Sequence, residues 1–360
     1  MKDIARDLGV SAMTISRVLR NRPDVGEATR KRVFARVREL DYRPNCVARS
    51  LSTGRSYLVG LVVPSLYHTF FAGIAKSLSD ALEIADYSLV LASSDEDPDV
   101  EEETIEQLLP HRLDTLLIAS CRSSVNPFLR IQSQRTPYVL IDRDLPGLSA
   151  NFVGTDDEAA GLLATRHLIE IGCTRIAHIR GPEISTGNGR LEGYKRALAL
   201  AGMRIRDDYI VTVSKADGDT TRECGAQAAR QLLLLYPRPD GIFCFNDLLA
   251  IGAMHGLLNN KLRIPEDVAL IGCGNLHYDD TLLVPLSSID LRASQIASEA
   301  ARITLESLNS TVPRKPERVV LKPGLVVRQS TQRRLGRLAR PEKNPPEISI
   351  DMPEGNARRS

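Results

Sequence analysis

Apolar residues recur at helical spacing in the first 42 residues and predict three short helices, over about 2–8, 12–19 and 27–40. The positions predicted to face inward are Ile4, Ala5, Leu8, Ile15, Val18, Leu19, Val33, Val37 and Leu40. Gly9 favours the left-handed conformation that ends a helix, and the Ser11 hydroxyl can cap the second helix. Two apolar helices joined by a short loop with Gly are typical of a helix-turn-helix unit.

From residue 57 onward the pattern changes to that of an α/β domain. Short β-branched runs at 57–63, 87–92, 115–120, 138–142, 175–180, 241–245 and 268–273 alternate with amphipathic stretches at 71–84, 156–171, 191–201, 222–235 and 248–259. Strands that are buried on both faces and joined by helices form parallel sheets. Because about 275 residues are long for one sheet, we predict two lobes, with a small-molecule site in the cleft between them.

Two segments fit neither pattern. Pro44 prevents the third helix from continuing. Residues 45–53 could form one or two helical turns, but they contain too few apolar residues for a core of their own. Residues 331–360 contain four Pro and no apolar period, which predicts a disordered tail. The predicted organisation is a head at 1–43, a hinge helix and linker at 44–56, a two-lobe domain at 57–330, and the tail.

Charge is distributed unevenly along the chain. Residues 1–55 hold 13 Lys and Arg against 6 Asp and Glu, whereas residues 56–330 hold 27 against 35. A basic head on an acidic body favours binding of a polyanion. The absence of a long apolar run and of a leader at the N-terminus argues against a membrane or secreted protein. Six separated cysteines without a C-x-x-C pair indicate reduced thiols, so the cytoplasm is the expected location.

The second predicted helix has side chains suited to the major groove of double-stranded DNA. Ala12 and Met13 can touch thymine methyl groups, and Arg17 can reach a guanine or a phosphate. The third helix adds cations expected to meet phosphates, namely Arg30, Lys31 and Arg32. The alternative for this region is a small helical cap domain without a ligand.

The motif inventory gives no support for an enzyme. The chain has no G-x-x-x-x-G-K-[ST], H-E-x-x-H or G-x-S-x-G sequence, and no G-x-G-x-x-G after a strand. Its six His are scattered. We therefore predict no catalytic residue, metal site or cofactor.

The chain contains, in this order, the segments DIARDLGVS-x-x-TISRVLRN, TRKRV, LDYRPN, VARSL, GTDDEAAG, RHLIEIGCTRIAHIRGP, GRLEGYKRAL, FNDLLAIGA, IPEDVALIGC and PLSSID. Together they resemble the lactose/galactose-repressor (LacI/GalR) family of bacterial transcription factors over about residues 2–330. The resemblance implies a homodimeric repressor, associated with the nucleoid, that binds a palindromic operator. It also implies a small effector in the cleft, which would be a sugar, a sugar acid or a sugar phosphate. The alternative is a periplasmic-type solute-binding protein, which has two lobes but no basic head.

The resemblance assigns DNA contacts to two segments. The recognition-helix positions correspond to Ala12, Met13, Thr14, Ser16 and Arg17, and the first two fall where the family varies its base-reading pair. Asn21 matches a position near the DNA backbone. Residues 45–51 match the hinge helix, with Ala48 one turn before Leu51 on the same face. Leu51 matches a leucine that is wedged between the central base pairs, and an apolar wedge of this kind kinks the duplex. Otherwise Leu51 is a packing residue in a linker.

The resemblance also assigns effector contacts in the cleft to Phe70, Phe71, Asp142, Thr186, Arg190, Asn246 and Asp247. Most of them follow predicted strands, and the carboxyl ends of strands are where open α/β sheets bind ligands. The phenylalanines could instead be core residues, and the acids could be helix caps or ion-pair partners.

Gly274 stands where the family commonly keeps an acid that binds sugar hydroxyls. This departure, together with a guanidinium fork at Arg190 that could bind an anion, favours an acidic or phosphorylated carbohydrate. The alternative is that Arg190 pairs with a carboxylate of the protein and does not reach the ligand.

Overall fold

The computed structural model describes residues 2–19, 24–42, 50, 53–122, 125, 128, 131, 136–213, 221–310, 312 and 314–333. The chain divides into two compact units, Met1–Tyr57 and Leu58–Ser360, and each is described by itself. None of the described helices is long and apolar enough to cross a bilayer.

The first unit contains the three predicted helices, α1 (Lys2–Leu8), α2 (Ala12–Leu19) and α3 (Glu27–Glu39). Gly9 has the expected positive φ, +65°, at the end of α1. Ile4, Ile15 and Val33 form a small buried core between the helices. The prediction that Leu40 faces inward is wrong: its side chain is 44% exposed, because α3 ends at Glu39 and Leu40 lies beyond the last turn.

The second unit is built from twelve strands and seven helices among its described residues. The strands are β1 (Leu58–Val63), β2 (Ser88–Ser93), β3 (Thr115–Ile118), β4 (Tyr138–Ile141), β5 (Asn151–Thr155), β6 (Ile176–Arg180), β7 (Ile210–Thr212), β8 (Gly241–Cys244), β9 (Ala269–Cys273), β10 (Ser287–Asp290), β11 (Arg318–Leu321) and β12 (Gly324–Val326). The helices are α4 (Thr69–Glu83), α5 (Pro98–Leu108), α6 (Asp157–Glu170), α7 (Ser185–Leu200), α8 (Thr221–Leu233), α9 (Asp247–Asn259) and α10 (Ala293–Asn309).

The strands form two six-stranded sheets, which confirms the predicted two-lobe α/β fold. The first lobe has the order β11-β5-β4-β3-β1-β2, and the second has the order β12-β10-β9-β8-β6-β7. All neighbouring strands are parallel except β10 and β12. The central strands are buried on both faces, as expected for parallel sheets covered by helices.

The chain crosses between the lobes after β5, after β10 and after β11. These crossovers are hydrogen-bonded to one another. The Thr155 hydroxyl donates to the Leu291 carbonyl at 2.5 Å, and the Asp156 N–H donates to the Leu321 carbonyl at 2.9 Å. The lobes are therefore joined by a connected hinge beside the cleft.

The end of the described chain differs from the predicted tail. Gln329–Thr331 form a 3-10 turn, and the Thr331 hydroxyl lies 2.8 Å from His167 Nε2 and 2.7 Å from the Ser287 hydroxyl. The tail boundary predicted at residue 331 is therefore wrong, because polar anchoring in the second lobe gave no apolar signal. Residues 334–360 lie outside the described residues.

Candidate DNA-binding surface and effector cavity

The start of α2 is fixed by a side-chain cap. The Thr14 N–H donates to the Ser11 hydroxyl at 3.0 Å, as the sequence predicts. Because Ile15 and Val18 are fully buried, the opposite side of α2 faces outward. Met13 is 64% exposed on that side, and Ala12 is also exposed. A large apolar side chain held in solvent at a helix start is suited to contacting base edges.

Arg17 is exposed and forms an ion pair with Asp24 at 3.2 Å. Both side chains are about half exposed, so the pair contributes little to stability and can be exchanged for a DNA contact. Thr14 is half-buried. Four predicted contacts cannot be placed: the side chain of Ser16, together with Asn21, Ala48 and Leu51, lies outside the described residues.

The cations of α3 differ in their contacts. Arg32 Nη2 donates to the Leu8 carbonyl at 3.0 Å, which satisfies an unpaired carbonyl at the end of α1. Arg36 binds the Asp7 carboxylate at 2.6 Å. Arg32, which was predicted to meet a phosphate, therefore braces two helices of the head.

A cavity lies in the second unit, at the carboxyl ends of the strands, and encloses about 320 Å³ of space, part of which is open to solvent. Its wall consists of His68, Phe70, Phe71, Asp142, Arg143, Thr186, Arg190, Phe245, Asn246, Cys273, Gly274 and Leu291. Six of the seven predicted effector residues are in this list, and Asp247 is not. The starts of α4, α7 and α9 and the end of β4 bring them together. No metal-binding group of His, Cys, Asp or Glu occurs among the residues that the structure describes.

Arg190 is almost fully buried, and two of its nitrogens are engaged by the protein. Its Nε donates to Asp157 at 2.9 Å, its Nη1 donates to the Phe245 carbonyl at 2.8 Å, and the guanidinium lies 4.5 Å from the centre of the Phe245 ring. The expected open fork is therefore absent. Only Nη2 has no hydrogen-bond partner among the described residues.

Asp142 has a different environment. It ends β4 with φ +61° and is only 6% exposed, and its carboxylate has no hydrogen-bond partner among the described residues. Burial, followed by the nearby charge of Asp157, raises the pKa of Asp142 to about 6. The Thr186 hydroxyl is likewise buried without a partner in the described part of the chain. These two groups can bind donors and acceptors of a ligand.

Arg143, next to Asp142 in the sequence, also lines the cavity. Its Nη1 donates to Glu96 at 3.0 Å, and its Nη2 contacts the other oxygen of the same carboxylate. The charge of this second arginine is therefore also compensated within the protein. Glu96 lies on a loop far from Arg143 in sequence, so no local pattern indicated the pair.

His68 was missed by the sequence analysis, as were Phe245, Cys273 and Leu291. The His68 Nδ1 accepts the Phe70 N–H at 3.3 Å and thereby caps α4. Burial lowers the pKa of His68 to about 4, so its ring is neutral at physiological pH. Its Nε2 lies 3.4 Å from Asn246 Nδ2 in the other lobe. Asn246 in turn caps α9 through its side-chain oxygen.

Asp247 lies behind the cavity wall. Its carboxylate accepts the Ser288 hydroxyl at 2.6 Å and the Leu276 N–H at 3.2 Å. A Cβ at position 272 would lie 2.1 Å from one Asp247 oxygen, and a Cβ at position 274 would lie 2.8 Å from the other. Gly272 and Gly274 thus leave the space that the Asp247 carboxylate fills. From the sequence, Gly274 was interpreted only as the loss of an acid.

Comparison with known proteins agrees with this architecture. Residues 1–45 match the family model described as "Bacterial regulatory proteins, lacI family", and residues 165–331 match the "Periplasmic binding protein-like domain". Catabolite control protein A of Priestia megaterium is 30% identical over 88% of this chain and 96% of its own length. The ribose operon repressor of Escherichia coli strain K12 is 31% identical over 92% and 99%.

Among solved structures, the complex of the transcriptional regulator CelR with cellobiose is 30% identical, has a TM-score of 0.69, and covers 91% of this chain and 98% of its own. The similarity therefore extends over both the head and the two-lobe unit. Together with the helix-turn-helix head and the cavity between the lobes, it shows that the chain belongs to the LacI family of DNA-binding transcriptional repressors and is not an enzyme.

Proposed function

We propose that this protein represses transcription in the cytoplasm as a homodimer on a palindromic operator, and that a neutral, hydroxyl-rich carbohydrate in the cavity regulates it. The observation that carries the effector class is the charge balance of the cavity wall. Arg190 pairs with Asp157, and Arg143 pairs with Glu96. Among the described residues, the carboxylate of Asp142 is the group left to be satisfied by a ligand.

A ligand with hydroxyl groups fits this balance better than an anion does. A hydroxyl can donate to the Asp142 carboxylate and accept from Arg190 Nη2, whereas a phosphate or carboxylate would face an uncompensated like charge. The rings of Phe70, Phe71 and Phe245 supply apolar faces for the C–H side of a sugar. The names of two relatives point the same way, since one is a ribose operon repressor and another is a cellobiose complex.

The homodimer is supported by the head and by the first sheet. A single short recognition helix reads only a half-site, and two-fold symmetric operators match two-fold symmetric proteins. Strand β2 ends the first sheet with one edge unpaired by any described strand, and Leu91 on it is 42% exposed. Ile84, just before β2, is 90% exposed. An apolar edge of this kind favours association with a second chain.

A thermal-shift experiment tests the effector class. D-ribose and cellobiose are compared with D-glucuronate and D-ribose 5-phosphate, each over a concentration series. A ligand that binds only the folded state raises the melting temperature. We expect a neutral sugar to raise it and the two anions to leave it unchanged. A shift produced only by the anions would contradict the proposal.

A further inference from the structure

Few side-chain hydrogen bonds join the lobes across the cleft. Away from the crossovers, the described residues make contacts between Asp144 and Ser185, between Thr69 and Tyr278, and between His68 and Asn246. The last two have separations of 3.5 Å and 3.4 Å, which are long for hydrogen bonds. The Asp144 N–H, by contrast, donates to the Ser185 hydroxyl at 2.9 Å. Of these three contacts, this one therefore has the geometry of a well-formed hydrogen bond.

Both ends of this bond are anchored beside the cavity. Asp144 follows Asp142 by two residues, and its carboxylate is bound by Arg318 of β11 at 3.2 Å and 2.6 Å. Ser185 is the first residue of α7, the helix that brings Thr186 and Arg190 to the cavity wall. A movement that opens the cleft must separate the loop after β4 from the start of α7, and so must break the bond.

We propose that Ser185 is a positioning residue whose hydrogen bond to the Asp144 N–H holds the cleft closed around the cavity. In a closed cleft the partly buried Asp144 N–H would have no acceptor without the Ser185 hydroxyl, and such a loss is costly, so the hydroxyl keeps the closed arrangement favourable. When the lobes separate, this N–H is released to solvent. The consequence for regulation rests on the proposed function, because it assumes that the effector enters and leaves through this cleft.

Amide hydrogen exchange on the full-length protein, followed at single-residue resolution and without any ligand, tests the latch. Ser185→Ala removes the acceptor, and the Asp144 amide should exchange about fivefold faster or more, the factor expected for one lost hydrogen bond. Ser185→Thr keeps a hydroxyl and should leave the rate within about twofold of the wild type. Ser298→Ala is the matched control, since the Ser298 hydroxyl bonds only to Ser294 within α10 among the described residues.

The Asp142 amide distinguishes a change at the latch from unfolding of the lobe. It donates to the Val153 carbonyl at 2.8 Å within the first lobe, so its exchange should not change in Ser185→Ala. An unchanged Asp144 rate in Ser185→Ala would overturn the proposal. So would an equal acceleration at Asp142 and Asp144.

The radius of gyration from small-angle X-ray scattering distinguishes opening of the cleft from the local loss of one acceptor. It should increase in Ser185→Ala and not in Ser298→Ala, and an equal radius in both variants would overturn the proposal. Because no effector is added, failure of the sugar screen and failure of the latch are separate results.

Discussion

At the residue scale, the charge of the cavity depends on which ionised groups already have partners. The sequence correctly predicted that Arg190 would lie at the cavity, but not that its Nε would bind Asp157. The two residues are 33 positions apart on neighbouring helices, and no local pattern indicates such a contact. Because Arg190 and Arg143 are paired with carboxylates of the protein, we propose a neutral ligand in place of the acidic ligand that the sequence favours.

Asp142 gives a prediction for the pH dependence of effector binding. Burial raises its pKa to about 6, while Asp157, Arg190, Arg143 and Glu96 surround it. The ionised carboxylate is the stronger acceptor for hydroxyl groups, so the affinity for a neutral sugar should fall as the pH drops through about 6. Asp142→Asn should lower the affinity at pH 8 about tenfold and remove this pH dependence.

Isothermal titration calorimetry between pH 5 and 8 measures both effects. Asp99→Asn, an exposed acid in the first turn of α5, is the control and should behave as the wild type. Binding that becomes stronger on acidification would show that the ligand is an anion and that the charge argument is wrong.

At the scale of elements, α3 separates two roles that its sequence presents as one row of cations. Arg32→Ala removes the hydrogen bond to the Leu8 carbonyl and should destabilise the head by about 1 kcal/mol. Lys31 is exposed, and Lys31→Ala should leave the stability unchanged while weakening binding to all DNA sequences about equally. Calorimetric unfolding and fluorescence anisotropy with specific and scrambled duplexes measure the two effects. Equal losses of stability in both variants would refute the assignment.

The loop after β9 contains a buried carboxyl that should make stability depend on pH. Asp279 accepts the Leu276 N–H at 2.8 Å, and burial together with the neighbouring Asp247 raises the pKa of Asp279 to about 9, from an ordinary value of 3.8. Between these values the folded state holds a proton that the unfolded state has released. Stability therefore falls as the pH rises through this range.

Asp279→Asn stays neutral and should lack this decline. The melting temperature of Asp279→Asn minus that of the wild type should therefore be larger at pH 8 than at pH 4. Melting curves from pH 4 to 9 decide the matter, and parallel curves for the two proteins would contradict the assignment of the proton to this pair.

The elements that the sequence predicted are those with a strong apolar pattern. The runs that became β1, β3, β4, β8 and β9 are buried almost throughout. Strands β5, β7 and β10 to β12 were missed because they are short and, apart from the buried β5, in part polar or exposed. Two helices were missed. Helix α5 buries only Glu101 and Ile105, and the buried face of α10 contains several small residues, including Ala297, Ala300 and Ala301. Small side chains give a weak periodic signal even where they pack closely.

At the scale of the whole molecule, the charge distribution along the chain predicted which part binds DNA and which part contains the cavity, but it did not predict the order of the strands in the sheets. The basic first 55 residues contain the helix-turn-helix unit, and the acidic remainder contains the cavity. Strand β11, however, returns to the first lobe and pairs with β5 about 165 residues earlier in the chain. Such a long-range pairing cannot be derived from periodicity, and the sequence did not predict it.

Selection of binding sites from a randomised duplex library by the full-length protein tests the central claim most directly. We expect enrichment of a two-fold symmetric sequence, because each head of a homodimer reads one half-site. We also expect that Met13→Ala, which removes an exposed side chain at the start of α2, changes the preference for a base in each half-site by about 1–3 kcal/mol. No enrichment, enrichment of a single unpaired half-site, or an unchanged sequence with Met13→Ala would contradict the account.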